Sequence, residues 1–467
     1  MNTFIGCRKL MLKSSNSCLT FTLKRGKFKM KNKQETISKF NNCDRALENF
    51  DLYYKPVYGE RWPSIRISLL TAKKSCVIIN NFVTENEYGD TFSDLGAVDI
   101  LELARKRQTA YANKMNKTNI KQSSLDQADV LRNVSSDQYA SQEDNYSNVS
   151  EEQNPVYDSI ISETDRKNLD LFMPAQVVYS DHMEQRIEEV RQSIYTPQDV
   201  KVDIVQPAPV SLSVDLTALA FPPGDVNMFP EPKTQNRGGL LCHFMLDASS
   251  ILPVLALDLH AGNRLLDLCA APGGKGLAAL QTLKPDQVLC NDISKSRLNR
   301  LKSIMRLYVP DEHRVRIKTT LRDGQKFTQQ EFDKVLVDVP CNTDRHSVLD
   351  GGRNLFSPAR IQERIGLPKL QTELLLSGLQ CVKVGGCVVY STCTLSPAQN
   401  DGIVQSALDR LWRETNISVE IEDLAEFRHI FSDTLSFYDS CRFGQLVIPS
   451  LSKNFGPMYF CRIRRIS

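Results

Sequence analysis

An apolar run ending on Asp267 passes without a spacer into Leu268-Cys269-Ala270-Ala271-Pro272-Gly273-Gly274-Lys275, and this stretch restricts the fold more than any other. It reads as a buried strand, a glycine turn and the start of a helix. The same alternation runs through the rest of the chain. Asp247–Leu259 reads as a helix and Leu265–Leu268 as a strand, with a helix from Lys275 to Leu283 and a strand at Val288–Cys290. The spacing predicts an amphipathic helix over Ser294–Tyr308, with Leu298, Leu301, Met305 and Tyr308 on one face. Strands follow at Val315–Lys318, Lys334–Val339 and Cys387–Ser391, with a helix at Leu370–Cys381 before the last. Strands alternating with helices imply an α/β fold, a mostly parallel sheet with helices on both faces. The end differs: Ile417–Ile421, Gln445–Ile448 and Met458–Arg464 predict antiparallel strands at one edge.

In such sheets a ligand sits outside the carboxyl ends of the strands. Gly273 and Gly274 let the backbone approach it closely, and the next helix aims free N–H groups at its polar end. Asp292 closes the following strand, where an acid commonly accepts from ribose hydroxyls. A dinucleotide turn needs Gly-x-Gly-x-x-Gly, which is missing. A P-loop is excluded because Cys269 stands at its first glycine and Gly276 at its hydroxyl position. S-adenosyl-L-methionine is the remaining common ligand of this kind of turn.

Two further strands end on chemistry. Val335-Leu336-Val337 runs into Asp338-Val339-Pro340-Cys341, and Tyr390-Ser391-Thr392 runs into Cys393-Thr394. Neighbouring strands would bring Asp338, Cys341 and Cys393 to one cleft beside the glycine turn. A thiolate is a strong nucleophile near neutral pH. Cytosine C5 cannot attack a methyl sulfonium unaided, but a thiolate adding to C6 turns C5 into an enamine carbon nucleophile. A carboxylic acid near N3 and N4 stabilises that adduct. The residues alone leave open which cysteine attacks. The other 11 of the 13 cysteines include no Cys-x-x-Cys pair, which argues against a zinc site and against a disulfide framework.

No run of about 18 apolar residues predicts a membrane span. Net charge is only +3, so any nucleic-acid binding has to come from local patches. Residues 1–34 hold no Asp or Glu but nine Lys and Arg among serines, and they are expected to be a mitochondrial transit peptide. Residues 44–105 read as a folded segment packing on or preceding the catalytic domain. The polar stretch 106–168 reads as a flexible insertion, and Met183–Arg191 as a short polar helix. Residues 169–235 form a Pro-punctuated, irregular lead-in, and the catalytic domain spans 236–467.

The motifs Asp267–Lys275, Asp338–Cys341 and Tyr390–Thr394, in this order, resemble those of the Sun-domain (Fmu-type) RNA cytosine-5 methyltransferases over roughly residues 236–467. The resemblance implies a class I methyltransferase (Rossmann-like) sheet with an N-terminal helical extension. It makes Cys393 the nucleophile, Cys341 the residue of product release, and Asp338 the acid facing cofactor and base. It also implies that Gly273, Gly274, Lys275, Asp292, Arg297, Asp323, Gly324 and Asp338 bind S-adenosyl-L-methionine. Trp62–Leu70, Asp344-Arg345-His346-Ser347 and Asn454–Phe460 are closer still to the mitochondrial branch that acts on small-subunit ribosomal RNA. That branch implies a matrix location, a role in ribosome assembly and a helical partner of the mitochondrial termination-factor family.

Gly276 and Thr394 depart from the family, which often has Thr and Ser there. DNA cytosine-5 methyltransferases attack from a Pro-Cys cysteine instead, and an assembly factor would need RNA binding without chemistry. The candidate RNA contacts are the basic face Lys295, Arg297, Arg300, Lys302 and Arg306. A second set, Arg345, His346, Arg353, Arg360 and Arg364, follows the Pro-Cys motif. Single-stranded or loop RNA is the expected substrate, because the base has to leave its stack to reach the pocket.

Overall fold

Two helices, α1 (Asn42–Tyr58) and α2 (Trp62–Leu70), lead into strand β1 (Cys76–Ile79), helix α3 (Tyr88–Asp94) and strand β2 (Val98–Asp99). Strands β3 (Ile204–Val205) and β4 (Ala218–Ala220) precede β5 (His243–Leu246) and helix α4 (Leu252–Ala256). The alternation then runs β6 (Arg264–Asp267), α5 (Gly274–Gln281), β7 (Gln287–Asn291), α6 (Lys295–Tyr308), α7 (Asp311–Arg314) and β8 (Ile317–Thr320). It continues through β9 (Phe332–Asp338), α8 (Asp344–Leu349), α9 (Ile361–Cys381) and β10 (Val382–Thr392). The chain closes with α10 (Asp401–Glu414), β11 (Val419–Glu422), α11 (Ala425–Ile430), β12 (Phe437–Tyr438), β13 (Gln445–Val447) and β14 (Met458–Arg465).

This computed structural model describes residues 41–83, 88–112, 202–206, 209–234, 239–352 and 354–467. The expected transit peptide at 1–34, the short helix at Met183–Arg191 and the insertion beyond residue 112 lie outside the described residues.

The main sheet has the order β12-β13-β14-β10-β9-β6-β7-β8. β10, β9, β6, β7 and β8 pair in parallel, and β14 joins β10 antiparallel. The chain leaves β6 in one direction, through β7 and β8, and returns on its other side as β9. The carboxyl ends of β6 and β9 therefore flank the switch point, where ligands of such sheets bind. Successive residues of a strand face opposite sides, and both sides are covered. Leu265, Leu336, Val389 and Phe460 belong to one apolar core, and Leu266, Val335, Val337, Val388, Tyr390 and Tyr459 to the other.

Helix α1 is part of the second core. Asn41 caps it in a reciprocal box with Asp44, and Ala46, Phe50, Tyr54 and Tyr58 repeat every four residues on its buried face. They share this core with Val348 of α8, and the Phe50 ring meets Phe356 edge-on at 5.1 Å. On the opposite side, β1 pairs with both β4 and β5 in a second, antiparallel sheet of order β2-β4-β1-β5. Strand β4 lies inside the stretch expected to be an irregular lead-in. Three residues between prolines carry no readable period, and only pairing with β1 makes them a strand.

Other boundaries moved for local reasons. Pro253 shortens the expected helix at Asp247–Leu259 to a 3-10 turn, Ala248–Ile251, followed by α4. Pro310 starts a helical turn, α7, that pushes the expected strand at Val315–Lys318 on to Ile317–Thr320. Helix α9 begins nine residues before the expected Leu370, because it runs through Gly366 and Pro368, which read as breakers.

Candidate active site

Parallel pairing of β9 with β10 sets Asp338 beside Ser391, and β6 ends next to β9. The three strand-end motifs therefore meet. Lys275 Nζ donates to Asp338 Oδ2 at 2.7 Å, and Ser391 Oγ donates to Asp338 Oδ1 at 2.7 Å. Burial pulls the Lys275 ammonium down, but Asp338, Cys393 and Asp267 more than offset this, so it is raised and stays charged.

The two sulfurs lie 3.3 Å apart, and the Cys393 N–H points at Cys341 Sγ from 3.4 Å. They are not equivalent. Cys341 is 2% exposed, while Cys393 is partly exposed and lines a cavity of about 400 Å³. Lys73, Asp247, Thr343, His346 and Met458 share that lining. The hydrogen bond to Cys393 and burial together hold the Cys341 thiol well above its usual range. Thr343, β-branched yet left-handed at φ 48°, turns the chain between Cys341 and α8.

The cofactor turn is built as expected at Gly273, whose φ of 111° favours glycine. A Cβ there would press on Leu301 and Met305 of α6 at 3.2 and 3.3 Å. Gly274 opens α5. Asp292 is buried and accepts from the N–H groups of Ala271 and Ser294, at 3.3 and 2.8 Å. Arg297 bridges Asp292, at 3.4 Å, and the carbonyl of Ala271, so it braces the turn. Asp323 caps a 3-10 turn at Gln325, and Gly324 has no room for a Cβ, which would meet Leu374 at 2.7 Å. Asp267 is buried, and among the described residues its Oδ1 has no hydrogen-bond partner. Burial and Asp338 push its carboxyl up to about 8. Four acids against Lys275 and Arg297, with an unsatisfied carboxyl oxygen, suit a ligand carrying positive charge. No group of side chains able to hold a metal ion occurs among the described residues.

Gly276 points at the same carboxyl, since a Cβ on it would stand 3.4 Å from Asp267 Oδ2 with nothing closer. Gly276→Ser should therefore stabilise the protein by about 1 kcal/mol, from helix propensity and a new hydrogen bond. A higher urea midpoint checks this, and a lower midpoint contradicts it.

The expected RNA contacts separate into two kinds. Lys295, Arg297, Arg300, Lys302 and Arg306 are all exposed on α6. Arg345 also lines the Cys393 cavity, but its guanidinium is already engaged, donating to the carbonyls of Ser68, Thr71 and Gly456 and to Asn454 Oδ1. Arg360 pairs with Glu363, and Arg364 lies over the Phe356 ring at 4.5 Å. His346 stays exposed on the cavity rim, and Arg353 lies outside the described residues. Sequence reasoning missed Lys73, Asp247 and Met458, which reach the cavity from segments distant in the chain. Ser391 lies inside the Tyr390–Thr394 motif, but its place opposite Asp338 follows only from the pairing of the two strands.

A family model described as 16S rRNA methyltransferase RsmB/F matches residues 254–438. The 5-cytosine rRNA methyltransferase NSUN4 of Xenopus laevis is 38% identical over 470 residues, covering 98% of this chain and 99% of that protein. The chain belongs to the RsmB/F and NSUN4 family of RNA cytosine-5 methyltransferases. NSUN4 of Mus musculus is 35% identical over 92% of this chain and 91% of its own length. The mitochondrial tRNA (cytosine(34)-C(5))-methyltransferase of Danio rerio is 40% identical over 50% of this chain and 64% of that one. Among solved structures, a methyltransferase homologue protein from Pyrococcus horikoshii matches with TM-score 0.42 and 18% identity, covering 91% of this chain and 98% of that one. The family assignment rests on the sequence relatives. Their near-full-length matches reach α1, α2 and the small sheet, which the RsmB/F model leaves out. The methyltransferase thus includes its N-terminal helices as parts of one core.

Proposed function

We propose that this methyltransferase uses S-adenosyl-L-methionine to methylate C5 of a cytosine in mitochondrial small-subunit ribosomal RNA, with Cys393 as nucleophile. The observation that carries this reading is the unequal thiol pair: one sulfur faces the cavity, the other is buried 3.3 Å behind it. Gly273, Gly274, Lys275, Asp292, Arg297, Asp323, Gly324 and Asp338 would hold the cofactor, and the acids suit its positive groups. When bound, the cofactor supplies an electrophilic methyl group.

The protein's own part begins at Cys393. Its thiolate forms a bond to C6, and the C5–C6 π electrons shift to C5. Asp338, fixed between Lys275 and Ser391, is placed to hydrogen-bond the base edge and stabilise that charge. After methylation, C5 loses its proton, the double bond re-forms and the C6–S bond breaks, returning Cys393 as thiolate. The C5 proton leaves to solvent, and Cys341 fits a part in this release, since its sulfur lies 3.3 Å from that of Cys393, beside the C6–S bond that breaks.

The ribosomal substrate follows the printed activity of the relatives. The mitochondrial matrix fits the acid-free residues 1–34 and the word mitochondrial in one relative's description. A helical partner of the termination-factor family would supply RNA affinity, in keeping with a net charge of +3 and an Arg345 whose donors are already engaged by the protein. Covalent trapping tests the chemistry. Wild type, Cys341→Ala and Cys393→Ala are incubated with S-adenosyl-L-methionine and a transcript of mitochondrial small-subunit ribosomal RNA. Cys341→Ala should accumulate a denaturation-resistant protein–RNA adduct, and Cys393→Ala should form none and methylate nothing. An adduct on Cys393→Ala would move the attack to Cys341 and overturn the assignment.

A further inference from the structure

One side chain with no assigned part in the chemistry touches the chain next to both thiols. Asp344 lies three residues after Cys341 and is 0% exposed. Its Oδ2 accepts from the Leu395 N–H at 2.7 Å and from the Tyr54 hydroxyl at 3.0 Å, and its Oδ1 accepts from Thr394 Oγ1 at 2.8 Å. Thr394 and Leu395 are the two residues after Cys393. The hydroxyl of Tyr58, one helical turn beyond Tyr54 on α1, donates to the carbonyl of Leu395 at 2.5 Å. Leu395 is therefore held at both its N–H and its C=O. From the other side Asn400 accepts from Thr392 Oγ1 at 2.6 Å and donates to the carbonyl of Thr394 at 3.0 Å.

No basic side chain among the described residues pairs with Asp344, and Arg345 turns away to Asn454. A buried carboxylate without a counter-charge is expensive. A carboxylate suits this place because its two oxygens accept three donors at once, two from the turn after Cys393 and one from α1. Tyr54 sits 290 positions away in the chain and on α1, outside the residues that the RsmB/F model matches.

We propose that Asp344 and Tyr54 are positioning residues for Cys393: by clamping Thr394 and Leu395 they aim the thiol at the base, and α1 is thereby a working part of the catalytic centre. This rests on the reading of Cys393 as nucleophile. Small errors in aim are costly, since a misplacement of about 1 Å can lower a rate by about 10²-fold.

A pH signature follows. Burial pushes the Asp344 carboxyl up to about 6, against the hydrogen bonds from Leu395, Thr394 and Tyr54. The titratable groups facing it are Tyr54 and Tyr58, both raised well above the usual range by burial and hence neutral. As pH falls through about 6 the carboxylate gains a proton, one oxygen turns from acceptor to donor, and the hydroxyl it faces has to rotate to accept, which rearranges the clamp. Stability moves the other way. A carboxyl raised above its unfolded value is penalised in the fold when ionised, so protonating it between about 6 and 4 favours folding. Activity and stability then separate on the acid side.

The test uses the full chain and the ribosomal transcript under single-turnover conditions. Tyr54→Phe keeps the ring packing and removes one donor, and it should lower the methylation rate constant about 3–10-fold with RNA affinity unchanged. Asp344→Asn should lower it about 10²-fold and abolish the acid limb near pH 6. A wild-type rate constant in Tyr54→Phe, or an acid limb that persists in Asp344→Asn, overturns the positioning role. If Asp344→Asn does not fold, Tyr54→Phe and the wild-type limb still decide. If wild type methylates the transcript but Cys393→Ala does so equally well, the nucleophile assignment fails first and this role with it.

Discussion

Asp338→Asn should lower the methyl-transfer rate by about 10²–10⁴-fold while leaving RNA affinity within a few-fold. The carboxylate is held at both oxygens, by Lys275 at 2.7 Å and by Ser391 at 2.7 Å. An amide keeps the shape but turns an N–H pair toward one of these two donors. If it faces Lys275, a buried ammonium loses its counter-charge, and if it faces Ser391, the hydroxyl has to rotate. Either way no carboxyl is left to take or lend a proton at the base edge as charge builds on the ring. Electrostatic RNA affinity rests on phosphate contacts by lysines and arginines, and the substitution touches none of the exposed ones on α6. Single-turnover methylation measures the first effect and filter binding the second. A loss under about 5-fold would remove Asp338 from the chemistry.

The second large effect is on stability and lies far from the cleft. Glu422 of β11 sits opposite Arg462 of β14, and both are buried, at 1% and 3% exposure. Glu422 pairs with Arg462 and also with Arg464. Glu422→Gln leaves the Arg462 guanidinium inside the protein without its counter-charge, with only neutral acceptors such as the carbonyl of Ala256, at 3.2 Å. Breaking one side of such a pair costs about 3–5 kcal/mol. The urea midpoint should fall accordingly, while methylation at low temperature persists. The double substitution Glu422→Leu with Arg462→Leu should recover most of the loss, since neither charge then remains buried. A loss below about 1 kcal/mol for Glu422→Gln would show that water reaches the pair.

Much of the site was readable because its parts are local. A strand end, a glycine turn and a following helix are written in consecutive residues, and the apolar face of α6 came out as Leu298, Leu301, Met305 and Tyr308, all buried. The parallel order of the sheet then delivered Asp267, Asp338 and Cys393 to one crevice, as adjacent strand ends require. Elements without a local signature escaped. Helix α10 buries Ile403, Val404, Ala407, Leu408 and Leu411 at helical spacing and could have been found by its period. The three residues of β4 could not, because their conformation depends on β1, more than 130 positions earlier.

Order along the chain was enough to say what chemistry is present: a charged-ligand turn, a carboxylate and two thiols at neighbouring strand ends. Burial decided how those groups differ. Cys341 and Cys393 are equivalent as letters, yet one is packed behind the other. Arg345 reads as a free cation near the substrate, yet at the cavity wall its guanidinium is engaged by four acceptors from two distant segments. Tyr54 reads as a core aromatic, yet its hydroxyl reaches Asp344 beside the Cys393 turn. Accessibility and hydrogen-bond partners are set by which distant residues fill the space around a group, and that is a property of the packed core.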